Sequence, residues 1–437
     1  MSELNFLSAT QLVTLLRQRL VSAEEVMRAH LTRIDAVNPQ LNAVVQSDPA
    51  QALTRARAAD RASRRGEWWG PLHGLPFTVK DWIETHDLVC TAGYAARLGY
   101  VPAQDATVVA RMRQAGAILL GKTNAVSGNE VYGLTNNPYN LTYSPAGSSS
   151  GEAAIIAAGG SPVGLGSDSG GSIRQPAHNC GVAGLKPTTG RVPLTGHYPR
   201  INVMNDPRTV IGPLARTVED LALILPIIQG VDWRDASVIP APLAEWRLVR
   251  LAGLRVAFYT DYQAIAPPSA VVRTVRAAVQ ALADAGMIIA EQTPPMVEHT
   301  YQITRDYWRR PEPESWEVWD AGAETVLSSL EVEQHLFLWD QFRRALIAFM
   351  EQVDVILTPA AQFPARPHAD DPGHIAYTLT YSLVGYPAVV VRCGTADDGM
   401  PIGVQVVARP WRDDVALAVA AYLELACGGW QRAGLAL

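Results

Sequence analysis

The distribution of apolar and polar positions divides this chain into helical and strand-like stretches. The first 65 residues read as helical: Ser8 with Gln11, and Ser22 with Glu25, are the Ser-x-x-Glu/Gln pairs that open helices. Asn38-Pro39 should end the second helix, residues 41–46 form a short strand, and residues 49–62 a further helix. Residues 74–80 (GLPFTVK) read as a strand following a turn. Residues 107–114 are amphipathic at helical spacing, whereas residues 117–120 are continuously apolar, the mark of a strand buried on both faces. Helix and strand then alternate to about residue 225, which predicts a sheet with helices on both faces. Between about 265 and 350 the patterning turns helical and carries Trp308, Trp316, Trp319 and Trp339. Residues 353–357, 386–392 and 403–407 read as core strands, 358–372 as a proline-rich loop and 413–425 as a closing helix. No internal repeat, low-complexity tract or linker divides the chain. The expectation is an α/β fold with a central mixed, mostly parallel twisted sheet, in one domain spanning 1–437 with a helical elaboration near 265–350.

Composition narrows the function. Over 437 residues, 48% are hydrophobic and 18% charged, an ordinary globular balance with a large core. The net charge of −6 offers no electrostatic footprint for nucleic acid or for an anionic membrane, so neither is expected as a partner. No apolar run approaches the roughly 20 residues that span a bilayer. The first eight residues show no basic stretch leading into an apolar one, so no secretory signal is expected. Cys90, Cys180, Cys393 and Cys427 are scattered without CxxC spacing, which fits a reducing cytoplasm and speaks against both a disulfide framework and a zinc site. No metal or cofactor is called for. One oddity stands out: of 36 basic residues only Lys80, Lys122 and Lys186 are lysines. Arginine keeps its proton in proteins, whereas a buried lysine can lose it. Each lysine is thus a candidate for work that arginine cannot do, the plain alternative being a packed stem.

Two motifs attract attention and fail on context. Gly116-AILL-Gly121-Lys122-Thr123 fits GxxxxGK[ST], but a phosphate loop needs a polar, flexible turn, and Ala-Ile-Leu-Leu will form a buried strand ending at Lys122. Gly147-Ser148-Ser149-Ser150-Gly151 fits GxSxG, but the elbow of that motif follows a strand. Here the preceding residues 136–145 are loop formers with two prolines, and no histidine partner is evident downstream.

Three segments remain. The first, 74–81, sets Lys80 at the end of an apolar strand, where burial lowers an amine's pKa. The second, 146–152, gathers hydroxyls and backbone N–H groups at the start of an apolar helix. The third, 166–176 (GSDSGGSIRQP), has glycines that let successive amides point into one space, a natural oxyanion hole, with Ser172 ending the run. A serine nucleophile needs a base, and without a credible histidine a neutral lysine is what remains. The alternative, that both runs are only loops, is weakened by their spacing of under 30 residues, each abutting an apolar helix or strand.

At these residues the chain resembles the amidase signature family. The block from Ala146 through GLGSDSGGSIRQPA to GLKPTTGRV carries the resemblance, with GLPFTVKD, LLGKTN, NNPYN, TVIGPLARTVEDLAL and GYPAVVV…MPIGVQVVARPW in support. It covers most of the chain and is weakest near 230–350. The resemblance implies the amidase-signature fold, with the 265–350 elaboration on the substrate side. It also implies Ser172 as nucleophile, Ser148 as bridging serine on a cis peptide bond, and Lys80 as base, the two serines lying 24 residues apart. The implied oxyanion hole is the amide run of Ser169, Gly170, Gly171 and Ser172. Asp81, Ser149, Asp168 and Arg174 are expected beside these residues, a purely structural ion-pair role being open for the charged ones. The implied activity is hydrolysis of linear amides through an acyl-enzyme, first of small aryl or alkyl amides, with carbamates (urethanes) and esters within the same chemistry. The eleven tryptophans hint at an aryl pocket or are simply core. A homodimer is a family-level expectation. This chain departs from the family in having Ala146 and Ser150 where glycines are usual, and residues 124–137 are short. Two rival readings are a glutamine amidotransferase subunit that works with partner proteins on tRNA, and a non-catalytic scaffold. The amidotransferase's long basic middle insertion is absent here, and the complete Lys–Ser–Ser set opposes the scaffold.

Overall fold

The structure, a computed structural model, describes residues 4–126, 128–199, 208–262, 265–308 and 327–435. Its strands are β1 (Val44–Gln46), β2 (Pro76–Lys80), β3 (Ile118–Thr123), β4 (Val163–Asp168), β5 (Ala183–Lys186) and β6 (Val210–Ala215). There follow β7 (Arg255–Phe258), β8 (Ile288–Glu291), β9 (Val355–Pro359), β10 (Ala388–Thr395) and β11 (Pro401–Ala408). All belong to one sheet, in the order β1-β3-β2-β4-β6-β5-β10-β11-β9-β7-β8. The helices begin with α1 (Ala9–Arg17), α2 (Ala23–Leu41), α3 (Pro49–Arg64), α4 (Thr107–Gln114), α5 (Ser150–Ala157) and α6 (Arg174–Asn179). They continue with α7 (Val218–Ile228), α8 (Ser269–Asp284), α9 (Thr300–Trp308), α10 (Ser329–Met350), α11 (Ala376–Leu383) and α12 (Asp413–Cys427).

Every residue of β2, β4, β6, β9 and β11 is buried, so the sheet is covered on both faces. The expected parallel majority is not found. β2 pairs in parallel with β3 and β4, and β7 with β8 and β9, whereas the six other pairings are antiparallel. The reason is topological. β4 and β5 run the same way, but β6 enters between them antiparallel to both. β10 and β11 are joined by residues 396–400, far too few for the crossover that a parallel pair requires.

Local chemistry accounts for most helix boundaries. The capping boxes at Ser8 and Ser22 both form, and Asp48 caps α3. α2 does not stop at Asn38-Pro39 but runs on to Leu41. A proline so near the end removes only one helical bond. Asn42 then takes a left-handed conformation, and its N–H donates to Asn38 O at 2.7 Å, closing the turn. α5 is buried at all eight positions and lies against β2, β3, β4 and β6. Gly151 permits this depth, because a Cβ there would meet Ala43 O at 2.4 Å and Asn124 N at 2.5 Å.

The 265–350 region is helical in α8, α9 and α10, with Trp316 and Trp319 outside the described residues. α9 packs on α11 and α10 on α9. Trp339 is core, its indole N–H donating to Leu383 O at 2.8 Å.

Candidate active site

The period of two along β2 puts Thr78 and Lys80 on one face, toward α5, with Phe77 and Val79 on the other. Lys80 is wholly buried. Its Nζ lies 2.5 Å from Ser148 Oγ and 3.0 Å from Ser167 Oγ. Its third neighbour is the Trp82 ring, whose centroid is 4.0 Å away. Burial pushes the Lys80 amine well below the ordinary lysine range, while the charges of Asp168 and Glu152 pull it upward.

Asp168 is heavily committed elsewhere. Both its oxygens bond the Arg174 guanidinium, at 2.8 and 2.9 Å, and it accepts N–H groups from Gly171 (2.8 Å) and Ile173 (3.1 Å). Burial alone would raise this carboxyl, but Arg174 and the amides hold it at about 2. Arg174 also reaches Thr378 O, Gln405 Oε1 and Ser382 Oγ, each at 2.7 Å, fastening the loop to α11 and β11. The other acid, Glu152, accepts hydroxyl protons from Thr78 and, at 2.7 Å, from Thr123. Burial pushes it up to about 7 against those bonds and the Lys80 charge.

The Gly147–Ser148 peptide is cis, the geometry that the resemblance implied. Ser148 O accepts the Val126 N–H at 2.8 Å, and the Ser149 N–H donates to Ser172 O at 3.1 Å, so the two serine segments are stitched side by side. Ser149 is buried and exchanges 3.3 Å hydrogen bonds with the Ser167 backbone, tying the start of α5 to β4. Ser148, Ser169, Gly170 and Ser172 are partly exposed, whereas Lys80, Ser167, Asp168 and Arg174 are buried. Ser148, Ser169, Gly170 and Ser172 thus reach solvent, and the charged groups do not.

Gly171 corrects the sequence reading. Its N–H is turned onto Asp168 Oδ1 at 2.8 Å, so of the four amides expected to form the cradle this one is already engaged within the loop. Its φ of +137° and a Thr378 Oγ1 only 2.3 Å from any added Cβ explain the glycine on structural grounds. The two departures from the family pattern also resolve. Ala146 holds φ +60°, a left-handed conformation that glycine adopts freely. The extra hydroxyl of Ser150 is buried and donates to Val126 O at 2.8 Å.

Asp81 and the remaining lysines are held by contacts of their own. Lys122 lies inside β3, wholly buried, 2.6 Å from Ile83 O and 3.4 Å from Asp81 Oδ1, so the GxxxxGK[ST] match is a strand. Asp81 Oδ2 accepts from Thr91 Oγ1 (2.9 Å) and Ala92 N (2.7 Å). Lys186 is buried with its Nζ on Pro187 O and Tyr386 O, and burial pushes it down to about 7. Sequence reasoning missed four residues around Lys80: Ser167, Glu152, Trp82 and His197. Only Ser167 carried a signal, since it sits in the same Gly/Ser run.

The family model "Amidase" matches residues 25–309 and 319–417. The chain belongs to the amidase family. It is an amidase-family enzyme, a hydrolase of carbon–nitrogen bonds. A glutamyl-tRNA(Gln) amidotransferase subunit of Chloroflexus aggregans is 33% identical over 475 aligned residues, which cover 96% of this chain and 96% of that one. An acylamidase of Rhodococcus erythropolis is 33% identical over 477, covering 96% and 95%. The solved structure of a fatty acid amide hydrolase matches this amidase with a TM-score of 0.88 at 26% identity, over 97% of this chain and 86% of that one. Among the described residues no helix is long and apolar enough to cross a membrane.

Proposed function

We propose that this chain hydrolyses linear amides through an acyl-enzyme on Ser172, with Lys80 as base and Ser148 as proton relay. One observation carries the proposal: a wholly buried amine lies 2.5 Å from the hydroxyl of Ser148, and among the described residues no carboxylate pairs with it. Neutral Lys80 takes the Ser148 proton as Ser148 takes that of Ser172. Ser172 Oγ bonds to the carbonyl carbon, and the oxyanion is received by the amides of Ser169, Gly170 and Ser172. Ser148 returns a proton to the leaving nitrogen, the C–N bond breaks, and the free amine departs. Water, deprotonated through the same relay, then cleaves the acyl ester to release a carboxylic acid and restore Ser172. Asp168 and Arg174 hold the loop in place and take no proton. The substrates are small aryl or alkyl amides, and carbamates and esters are open to the same attack. Four unpaired thiols suit a cytoplasmic location.

A second reading is favoured by the relatives named as amidotransferase subunits, which share a third of their residues with this chain over nearly its full length. Those names refer to a tRNA, so the acidic net charge does not exclude a nucleic-acid-linked role. The test is the purified chain alone against anilides, aliphatic amides, carbamates, ureas and glutamine, with a fluorophosphonate probe on wild type and Ser172→Ala. Turnover of simple amides, with labelling lost in the variant, supports the first reading. Glutamine hydrolysis confined to mixtures with partner subunits supports the second. Labelling that persists in Ser172→Ala removes the proposed nucleophile.

A further inference from the structure

The stretch just after β2 folds an aromatic ring over the Lys80 amine. Trp82 is half-buried, and its ring centroid lies 4.0 Å from Lys80 Nζ, on an amine whose other contacts are Ser148 Oγ and Ser167 Oγ. The residue is held at three points, two of them on the ring. Its indole N–H donates to Ala92 O at 3.0 Å, its backbone carbonyl accepts the Tyr198 N–H at 2.7 Å, and its ring meets His197 edge-on at 6.0 Å.

We propose that Trp82 is a positioning residue that caps the Lys80 amine, excluding water from it and thereby setting the pH above which the proton relay works. The inference rests on the reading of Lys80 as base. Two effects of the ring oppose each other. An indole face attracts an ammonium, which favours the charged form. Exclusion of water disfavours the charged form, and full burial moves an amine by up to about 3–5 pH units. The proposal is that the ring's share of the water exclusion outweighs its attraction for the charge, so that the cap holds the amine neutral on balance.

The other groups facing the amine are Asp168 from β4, Glu152 from α5 and His197 from the stretch after β5. The Asp81–Lys122 pair and the Cys90 thiol lie at the ends of β2 and β3 and in the loop that follows. Burial and the Lys80 charge hold His197 down to about 4, so it is neutral near pH 7 and the loss of its ring contact adds no charge. Burial also pushes the Cys90 thiol up.

The test is the second-order rate of fluorophosphonate labelling of Ser172 against pH, which needs no knowledge of the natural substrate. Wild type, Trp82→Ala, Trp82→Phe, Trp82→Leu and Lys80→Ala are compared, each checked for a cooperative thermal transition. Trp82→Ala should move the acid limb to higher pH by about one unit, a tenfold lower rate at any pH on the limb. Trp82→Phe should restore the wild-type limb. Trp82→Leu, which caps without a π face, should hold it at or below the wild-type pH. An unshifted or lowered limb in Trp82→Ala overturns the inference, as does an equal shift in the Ala and Leu variants. If Lys80→Ala labels like wild type, it is the base assignment that fails. If Lys80→Ala is silent and Trp82→Ala leaves the limb in place, only the capping role fails.

Discussion

Lys80 and Lys122 stand on neighbouring parallel strands, one step apart in register, and both are completely buried. Their surroundings differ in one respect. Lys122 has Asp81 at 3.4 Å and the Ile83 carbonyl at 2.6 Å, a charge met by a charge. Lys80 has two hydroxyls and an indole face, and Asp168, whose charge acts on it, is bound on both oxygens by Arg174. Lys186 offers a third case, an amine facing two backbone carbonyls. All three amines are dry, so burial alone does not distinguish them. What distinguishes Lys80 is that its partners are groups that exchange protons and that they open toward solvent through Ser148.

This contrast can be broken in three places. The largest effect is expected at Lys80. Replacement by Arg should reduce kcat about as severely as replacement by Ala, on the order of 10⁴-fold, because a guanidinium cannot accept the Ser148 proton. Steady-state turnover of a reactive anilide by the two variants checks this, and near-normal turnover by Lys80→Arg would remove the lysine from the chemistry. Lys122→Met should act on stability instead. It leaves Asp81 buried without its counter-charge, a loss of about 3–5 kcal/mol in urea unfolding, while turnover per folded molecule stays near wild type. A collapse of turnover at full stability would erase the division between the two lysines.

The smallest effect is a pH slope. Lys186 has a folded value of about 7 against 10.5 for an exposed lysine. Between those values the unfolded chain holds a proton that the folded one lacks, so this group makes stability rise with pH across the window and contributes no slope below it. In Lys186→Met the gain between pH 7.5 and 9.5 should be smaller by about 2 kcal/mol. Parallel curves for the two proteins would mean that the amine is charged when folded.

The sequence was most legible where chemistry is local. Capping pairs at Ser8 and Ser22 fix helix starts within four residues of chain, and both form as read. The apolar run at 117–120 identifies a strand, observed as Ile118–Thr123, and disposes of a false phosphate loop. The scarcity of lysine pointed to three positions, and all three are interior. Legibility failed where a partner arrives from elsewhere. Residue 171 reads as one more flexible amide donor, but its N–H is taken by Asp168, three residues back, once the loop closes on Arg174. Glu152 is assigned no role in the sequence, yet hydroxyls from β2 and β3 enclose it. The alternation of helix and strand suggested parallel pairing, but strand order is decided by which strand inserts between which.

From the residues alone follow the chemical inventory: a serine-tipped glycine run, a second serine run before an apolar helix, and very few amines able to give up a proton. Those are properties of residue type and spacing, which need no neighbour. Whether an amine is dry, and what faces it, depends on groups far along the chain, 87 residues away for Ser167 and Lys80 and 200 for Tyr386 and Lys186. Only the folded sheet brings such groups within a hydrogen bond, and the electrostatics of the site is fixed at that distance.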